Sequence, residues 1–171
     1  MVTDTLLDEI VKSDNLKIVP FRWYHPRSMD LRDFDLVAYQ EMNDYEGLLR
    51  YYELEPFSFT AILDGKMVAC FGSHILWDGV SESWLIGSKQ LNSVPITLTR
   101  MCRRYLDVVA RELQLNRMQI TCNTKDELAV RWAIALKFER EGLLRHYGPC
   151  GSDYIMFSRI YDERSVQSQN A

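Results

Sequence analysis

The chain has 171 residues and a mass of 20.1 kDa; 47% of it is hydrophobic, its net charge is −4 and its sequence pI is near 5.4. That length and apolar content predict one domain that buries roughly two-thirds of its unfolded surface, and they exclude a disordered chain. The acidic balance, with basic residues scattered among acids, argues against a nucleic-acid footprint, and no apolar run approaches the ~20 residues of a membrane span. The N-terminus lacks a signal-peptide pattern. Cys70, Cys102, Cys122 and Cys150 lie far apart without a C-x-x-C. They are expected to be free thiols in a reducing cytoplasm. His25, His74 and His146 share no metal-ligand spacing, so no metal site is expected.

Residues 1–15 read as an N-terminal extension, amphipathic over 5–12 with Leu6, Leu7, Ile10 and Val11 on one side. Residues 16–23 (LKIVPFRW) predict a first strand, which Pro20 demotes to a sheet edge. Ser28 is placed to cap a helix carrying Leu31, Phe34, Val37 and Ala38. A second helix after Asn43 carries Tyr45, Leu48, Leu49 and Tyr52, until Pro56 ends it. Strands over 57–63 and 66–76 flank Asp64-Gly65, a strong hairpin signal, and Asp78-Gly79 turns the chain into a strand over 81–87 (SESWLIG).

Residues 88–94 (SKQLNSV) read as a polar loop. Residues 95–113 carry a helical stripe at Leu98, Met101, Cys102, Tyr105, Val109 and Leu113. Asn92 or Ser93 can cap this helix, and Pro95 suits its first turn. A strand over 117–122 (RMQITC) follows. Thr124 and Glu127 then have capping-box spacing for a helix with the stripe Leu128, Ala129, Trp132, Ala133 and Leu136. Residues 138–146 and 154–161 predict a closing hairpin around 148–151 (GPCG), and 162–171 a flexible polar tail.

The strand, helix and strand over 81–122 form a right-handed parallel unit fed by an antiparallel meander. The fold class is therefore α/β, a central mixed sheet flanked by helices. The junction of loop and helix near Pro95 points amide N–H groups and a positive dipole end at the space beyond the first strand. An anion belongs there.

The order β-α-α-β-β-β-α-β-α-β-β, with one parallel crossover, resembles the GCN5-related N-acetyltransferase (GNAT) family over residues 16–160. The run Ala129-Val130-Arg131-Trp132 through Leu136-Lys137-Phe138-Glu139-Arg140-Glu141-Gly142 is similar to the family's helix and G-F-x-x-x-G strand start, with Lys137 in place of glycine. Glu82-Ser83-Trp84-Leu85, Pro95-Ile96 and residues 100–106 most resemble divergent GNAT-like proteins of short-tailed bacteriophages.

The resemblance implies a GNAT-like acyltransferase domain over 16–161 and transfer of an acyl group from acetyl-CoA to an amine, small molecule or protein. It places coenzyme A where the strands of 81–87 and 117–122 splay, against Leu85, Ile86, Gly87, Ser88, Lys89, Gln90, Pro95, Ile96 and Asn123. Lys89 adds a charge for the pyrophosphate, with Arg100, Arg103 or Arg104 beside it unless these form a solvated helix face. Glu82 stands where many members carry a general base; the alternative is a surface strand residue. Tyr147 is the spare phenol for the leaving thiolate, or a tyrosine packed at a hairpin.

Three departures qualify the likeness. The pyrophosphate loop R/Q-x-x-G-x-G/A is reduced to Gly87 and Ser88-Lys89-Gln90. Ala133 stands where a general-acid tyrosine is usual. Asp126 stands where asparagine is usual, with Asn123 just upstream. They keep open a second reading, a non-catalytic phage protein that binds a host or virion protein in the host cytoplasm.

Overall fold

A computed structural model describes residues 4–93 and 96–161. In chain order it holds α1 (Asp4–Ile10), β1 (Leu16–Pro20), α2 (Asp33–Glu41), α3 (Tyr45–Leu54), β2 (Phe59–Leu63), β3 (Lys66–Trp77) and β4 (Val80–Gly87). There follow α4 (Ile96–Glu112), β5 (Arg117–Asn123), α5 (Glu127–Ala135), β6 (Glu139–Leu144) and β7 (Tyr154–Ile160). Short 3₁₀ turns cover His25–Ser28, Lys89–Ser93 and Pro149–Gly151. Among the described residues no helix is long and apolar enough to cross a membrane.

The seven strands form one mixed sheet in the order β1-β2-β3-β4-β5-β7-β6. Asp64 and Gly65 both take left-handed φ, +50° and +77°, the backbone of a tight hairpin turn that joins β2 to β3. β1 is the edge strand and stops at Pro20, short of the expected Trp23, because proline removes a ladder donor. β4 pairs antiparallel with β3 from Val80–Trp77 to Gly87–Ala69. Its parallel pairing with β5 is confined to Val80–Arg117, Ser81–Met118 and Glu82–Gln119. β5 continues along β7 as far as Asn123–Tyr154. Each strand thus keeps its outer neighbour while the inner pair separates.

α4 lays Leu98, Met101, Cys102, Tyr105 and Val109 on one face of the sheet, against Phe59, Phe71, Met118 and Phe157. Full burial contributes about 1.5–3 kcal/mol for each large apolar side chain. α1 packs on the outside of α4, where Ile10 is fully buried and Arg104 Nε donates to its carbonyl at 2.7 Å. The opposite face carries a smaller cluster of Phe21, Met29, Leu31, Tyr45, Leu49, Cys70 and Ile86 under α3.

Three local expectations are corrected. Ser28 does not cap a helix: it closes the 3₁₀ turn, and α2 begins only at Asp33 with Arg32 at its N-cap. The reason is tertiary, since Leu31 is bridged to Ser88 and residues 29–32 cannot coil. Its larger apolar residues stay outside the core, Phe34 and Val37 being 37% and 44% exposed, while Ala38 packs against the smaller cluster. Thr124 is not the cap of α5, which is Asp126, its carboxylate accepting from Ala129 N–H at 3.0 Å. The polar loop over 88–94 is partly a 3₁₀ turn, pinned by the buried Leu91.

Gly72, opposite Trp84 in the β3–β4 register, leaves room for that indole. An added Cβ would lie 2.6 Å from Ser58 Oγ and 2.7 Å from the Trp84 ring. Gly72→Ala is therefore expected to cost roughly 1–3 kcal/mol, a penalty of overpacking. Urea denaturation followed by tryptophan fluorescence checks this; an unchanged midpoint would contradict it.

Candidate active site

Beyond the Glu82–Gln119 rung the separated strands enclose a cleft of about 330 Å³, walled by both strands together with α2, α3, α4 and α5. At its inner end, Glu82 Oε2 accepts from Gln119 Nε2 at 3.0 Å. Gln119 Oε1 accepts in turn from Arg117 Nε at 3.2 Å, and the Arg117 fork holds Glu141 at 2.7 and 2.6 Å. The last parallel rung is thereby closed by side chains as well as backbone, and Glu82 is held in one orientation.

Aromatic rings roof this end. Tyr52 stacks on Trp84 with centroids 4.1 Å apart and a 7° interplanar angle, and on His74, which faces Glu82 across the β3–β4 ladder. Burial pushes the Tyr52 phenol well above its ordinary range, helped by the Glu82 carboxylate and by Tyr147. The Tyr147 phenol is also pushed up, by burial first and then by Glu82, against a hydrogen bond with Thr121. Tyr147 is half exposed on the turn after β6. Glu82, Tyr52 and Tyr147 therefore share one electrostatic neighbourhood, and both phenols are held as proton-bearing acids at neutral pH.

The outer end holds the other expected residues along one wall. Leu85 and Ile86 point to opposite faces, pack into the two hydrophobic clusters and both line the cleft. Gly87 is crowded, since an added Cβ would lie 2.8 Å from Leu91 Cδ1 and 3.1 Å from Arg32 Cδ. Its carbonyl accepts from Arg32 N–H at 3.0 Å, and its amide is among the groups that pull on the Asp35 carboxyl. Ser88 N–H donates to the Val68 carbonyl at 2.9 Å and Lys89 N–H to the Asp30 carbonyl at 2.8 Å.

Lys89 Nζ is paired with the Asp30 carboxylate at 3.0 Å and is not free to meet an anion. Gln90 and Ile96 are exposed, the latter opening α4, while Pro95 lies outside the described residues. Asn123 lines the cleft and accepts from Lys125 N–H at 2.9 Å. Arg103 bonds the Ala135 carbonyl and Arg104 that of Ile10, so both face away from the start of α4.

Sequence reasoning missed Arg32 and Asp35. Arg32 Nη2 meets both carboxylate oxygens of Asp126 at 2.6 Å, with 9% and 8% of the two side chains exposed. Asp35 lines the cleft, but its carboxyl is enclosed, and burial pushes it up to about 7 against the pull of Arg32 and the Gly87 N–H. A run of charges (Asp30, Arg32, Asp33, Asp35) inside an otherwise apolar stretch was the available signal. Ala133, at the position of the missing tyrosine, is buried in the core.

No protein-family model matches the sequence, and no curated protein sequence does. Solved structures do match. A GNAT-family acetyltransferase from Bacillus anthracis superposes with a TM-score of 0.65 at 14% identity, over 88% of this chain and 97% of that one. Ribosomal-protein-S5-alanine acetyltransferase from Vibrio fischeri gives 0.66 at 14% identity, over 89% and 96%. A ribosomal L7/L12 α-N-protein acetyltransferase, solved in complex with coenzyme A, gives 0.66 at 13% identity, over 90% and 98%. The chain has the GNAT fold. At such identities the likeness defines the fold alone.

The enclosed Asp35 carboxyl has a consequence for stability. Its folded value of about 7 exceeds its ordinary 3.8, so its favourable contribution is complete below about pH 4 and is lost as pH rises through 7. Asp35→Asn, neutral throughout and of the same shape, is expected to raise the Tm at pH 8 by a few degrees, since about 1 kcal/mol moves a chain of this size by ~2–4 °C. It should change little at pH 4. Scanning calorimetry at the two pH values checks this, and an equal shift at both would contradict it.

Proposed function

We propose that this chain is an acyl-CoA-dependent N-acyltransferase that moves an acetyl group from acetyl-CoA to an amine. The observation that carries the reading is Glu82, fixed by Gln119, at the inner end of a cleft opened by strand separation, with the Tyr147 phenol in the same neighbourhood. Two structures of the same fold support the choice of donor: a microcin C7 self-immunity acetyltransferase holds acetyl-CoA and AMP, and the L7/L12 enzyme holds coenzyme A.

The cleft fits such a donor along most of its length. The β4 edge past Glu82 is free of β5, and the walls formed by Trp84, Leu85, Ile120 and Trp132 are largely apolar. At the outer end residues 30–35 lie over Gly87 and Lys89, so that stretch receives a diphosphate only once they are displaced.

When bound, acetyl-CoA supplies an activated thioester carbonyl. This chain's residues then handle the protons. Glu82 Oε1 or Oε2 takes the proton of the acceptor ammonium, directly or through one water, while the Gln119 amide keeps its orientation. The Tyr147 hydroxyl, kept protonated by its surroundings, is the group able to give a proton at the same end. The domain assigned to this activity is 16–161. The enclosed thiols of Cys70, Cys102 and Cys122, pushed up to about 12 by burial, suit a reducing cytoplasm.

A second reading, a non-catalytic GNAT-fold protein of phage origin that binds a host or virion protein, is favoured by one observation: the amides of Ser88 and Lys89 are already bonded within the chain.

Acetyl transfer to a panel of primary amines separates the two. The enzyme reading expects acetyl-CoA-dependent product, and Glu82→Gln should slow it by about 10²–10⁴-fold at neutral pH, the usual worth of general-base assistance. Raising the pH should recover part of the loss, because more of the amine is then unprotonated. Equal rates would remove Glu82 from the mechanism, and no product with any amine would favour the binding protein.

A further inference from the structure

The covering of the outer cleft has an internal logic of charge. Asp30 and Asp126 hold Lys89 Nζ at 3.0 Å and Arg32 Nη2 at 2.6 Å, two of the cations of this end, and the Asp35 carboxyl is enclosed beside Arg32. Each ion pair is a contact that a bound diphosphate would make for itself, a cation to an anionic oxygen. We propose that residues 30–35 are an internal plug, held down by the Asp30–Lys89 and Arg32–Asp126 pairs, in which Asp30 and Asp126 stand in for the diphosphate of the acyl donor, and that donor binding exchanges them: Lys89 leaves Asp30 and Arg32 leaves Asp126. The proposal rests on the acyl-donor reading above.

The contact is built like one that opens. Arg32 presents a single nitrogen to both Asp126 oxygens and leaves its Nε enclosed without a hydrogen-bond partner. Asp35 Oδ2 and Ser88 Oγ are enclosed and unpartnered beside it. Enclosed polar atoms without a partner are unfavourable, so the closed state carries a standing penalty that a better-matched ligand relieves.

A plug in equilibrium with its open form weakens ligand binding by the fraction of molecules that are open, and loosening it returns that loss. Calorimetric titration of the full chain with coenzyme A at low salt therefore tests the exchange. Asp35→Ala and Asp30→Ala are each expected to bind about 5–10-fold more tightly than the parent, as the open fraction grows. Asp30 is exposed, so its variant keeps the test available if Asp35→Ala does not fold. Lys89→Ala should bind several-fold more weakly, since it removes a cation that passes to the ligand. Unchanged or weaker affinity in the Asp30 and Asp35 variants, with the parent binding normally, overturns the plug and leaves the acyltransferase reading intact. Unchanged or tighter binding by Lys89→Ala overturns the exchange of partners. No binding by any of the four proteins overturns both the plug and the acyl-donor reading.

Discussion

Three rungs of parallel pairing, Val80–Arg117, Ser81–Met118 and Glu82–Gln119, are all that join the two halves of the sheet, and everything functional follows from their stopping there. β4 is committed to β3 down to Gly87–Ala69, and β5 to β7 down to Asn123–Tyr154. With both outer edges satisfied, the inner edges can part without unravelling either half. The helices then wall the gap: α4 and α5 are tied by Trp132 Nε1 donating to Thr99 Oγ1 at 3.0 Å, and α3 closes the other face through Tyr52 on Trp84. A cleft flanked by main chain on both sides is thus a product of sheet register rather than of any one side chain.

The two ends of that cleft obey different electrostatic rules. Inside, Glu82 is the carboxylate, and the chain Glu82–Gln119–Arg117–Glu141 runs across the sheet surface to Ser158, whose hydroxyl donates to Glu141 at 2.7 Å. Glu141 is pulled down to about 2, first by Arg117 and then by Ser158, so this chain ends on a fixed negative charge and keeps Gln119 facing Glu82. Outside, Arg32, Asp35 and Asp126 meet in an enclosed space where charges are incompletely partnered. The proposed function assigns proton handling to the inner end, and the proposed plug assigns ligand-dependent rearrangement to the outer one.

Much of this was legible in the residues. The Asp64-Gly65 and Asp78-Gly79 turns, the stripe on α4 and the order of elements led to a mixed sheet with one crossover, because these are signals of local backbone geometry and periodicity. The place of Glu82, at the last rung beside the crossover, was legible as well. The charge pairs over the outer cleft were not. Arg32 and Asp126 are 94 residues apart, and nothing local marks either as half of a pair. Ser28 and Thr124 were reasonable caps by composition, yet pairing of Leu31 with Ser88 and the double duty of Asp126, capping α5 while holding Arg32, overrode both. Lys89 looked like a free cation because sequence cannot reveal that Asp30 is folded against it.

The central claim is that the gap between β4 and β5 receives the acyl donor. Titrating acetyl-CoA into ¹⁵N-labelled protein and following backbone amide shifts tests it most directly. The account predicts the largest shifts at residues 83–89 and 120–123, on the two sides of the gap, with smaller ones at the start of α4. Shifts confined to the exposed face of α2 or to the β6–β7 end of the sheet, with 83–89 and 120–123 unmoved at saturation, would contradict it.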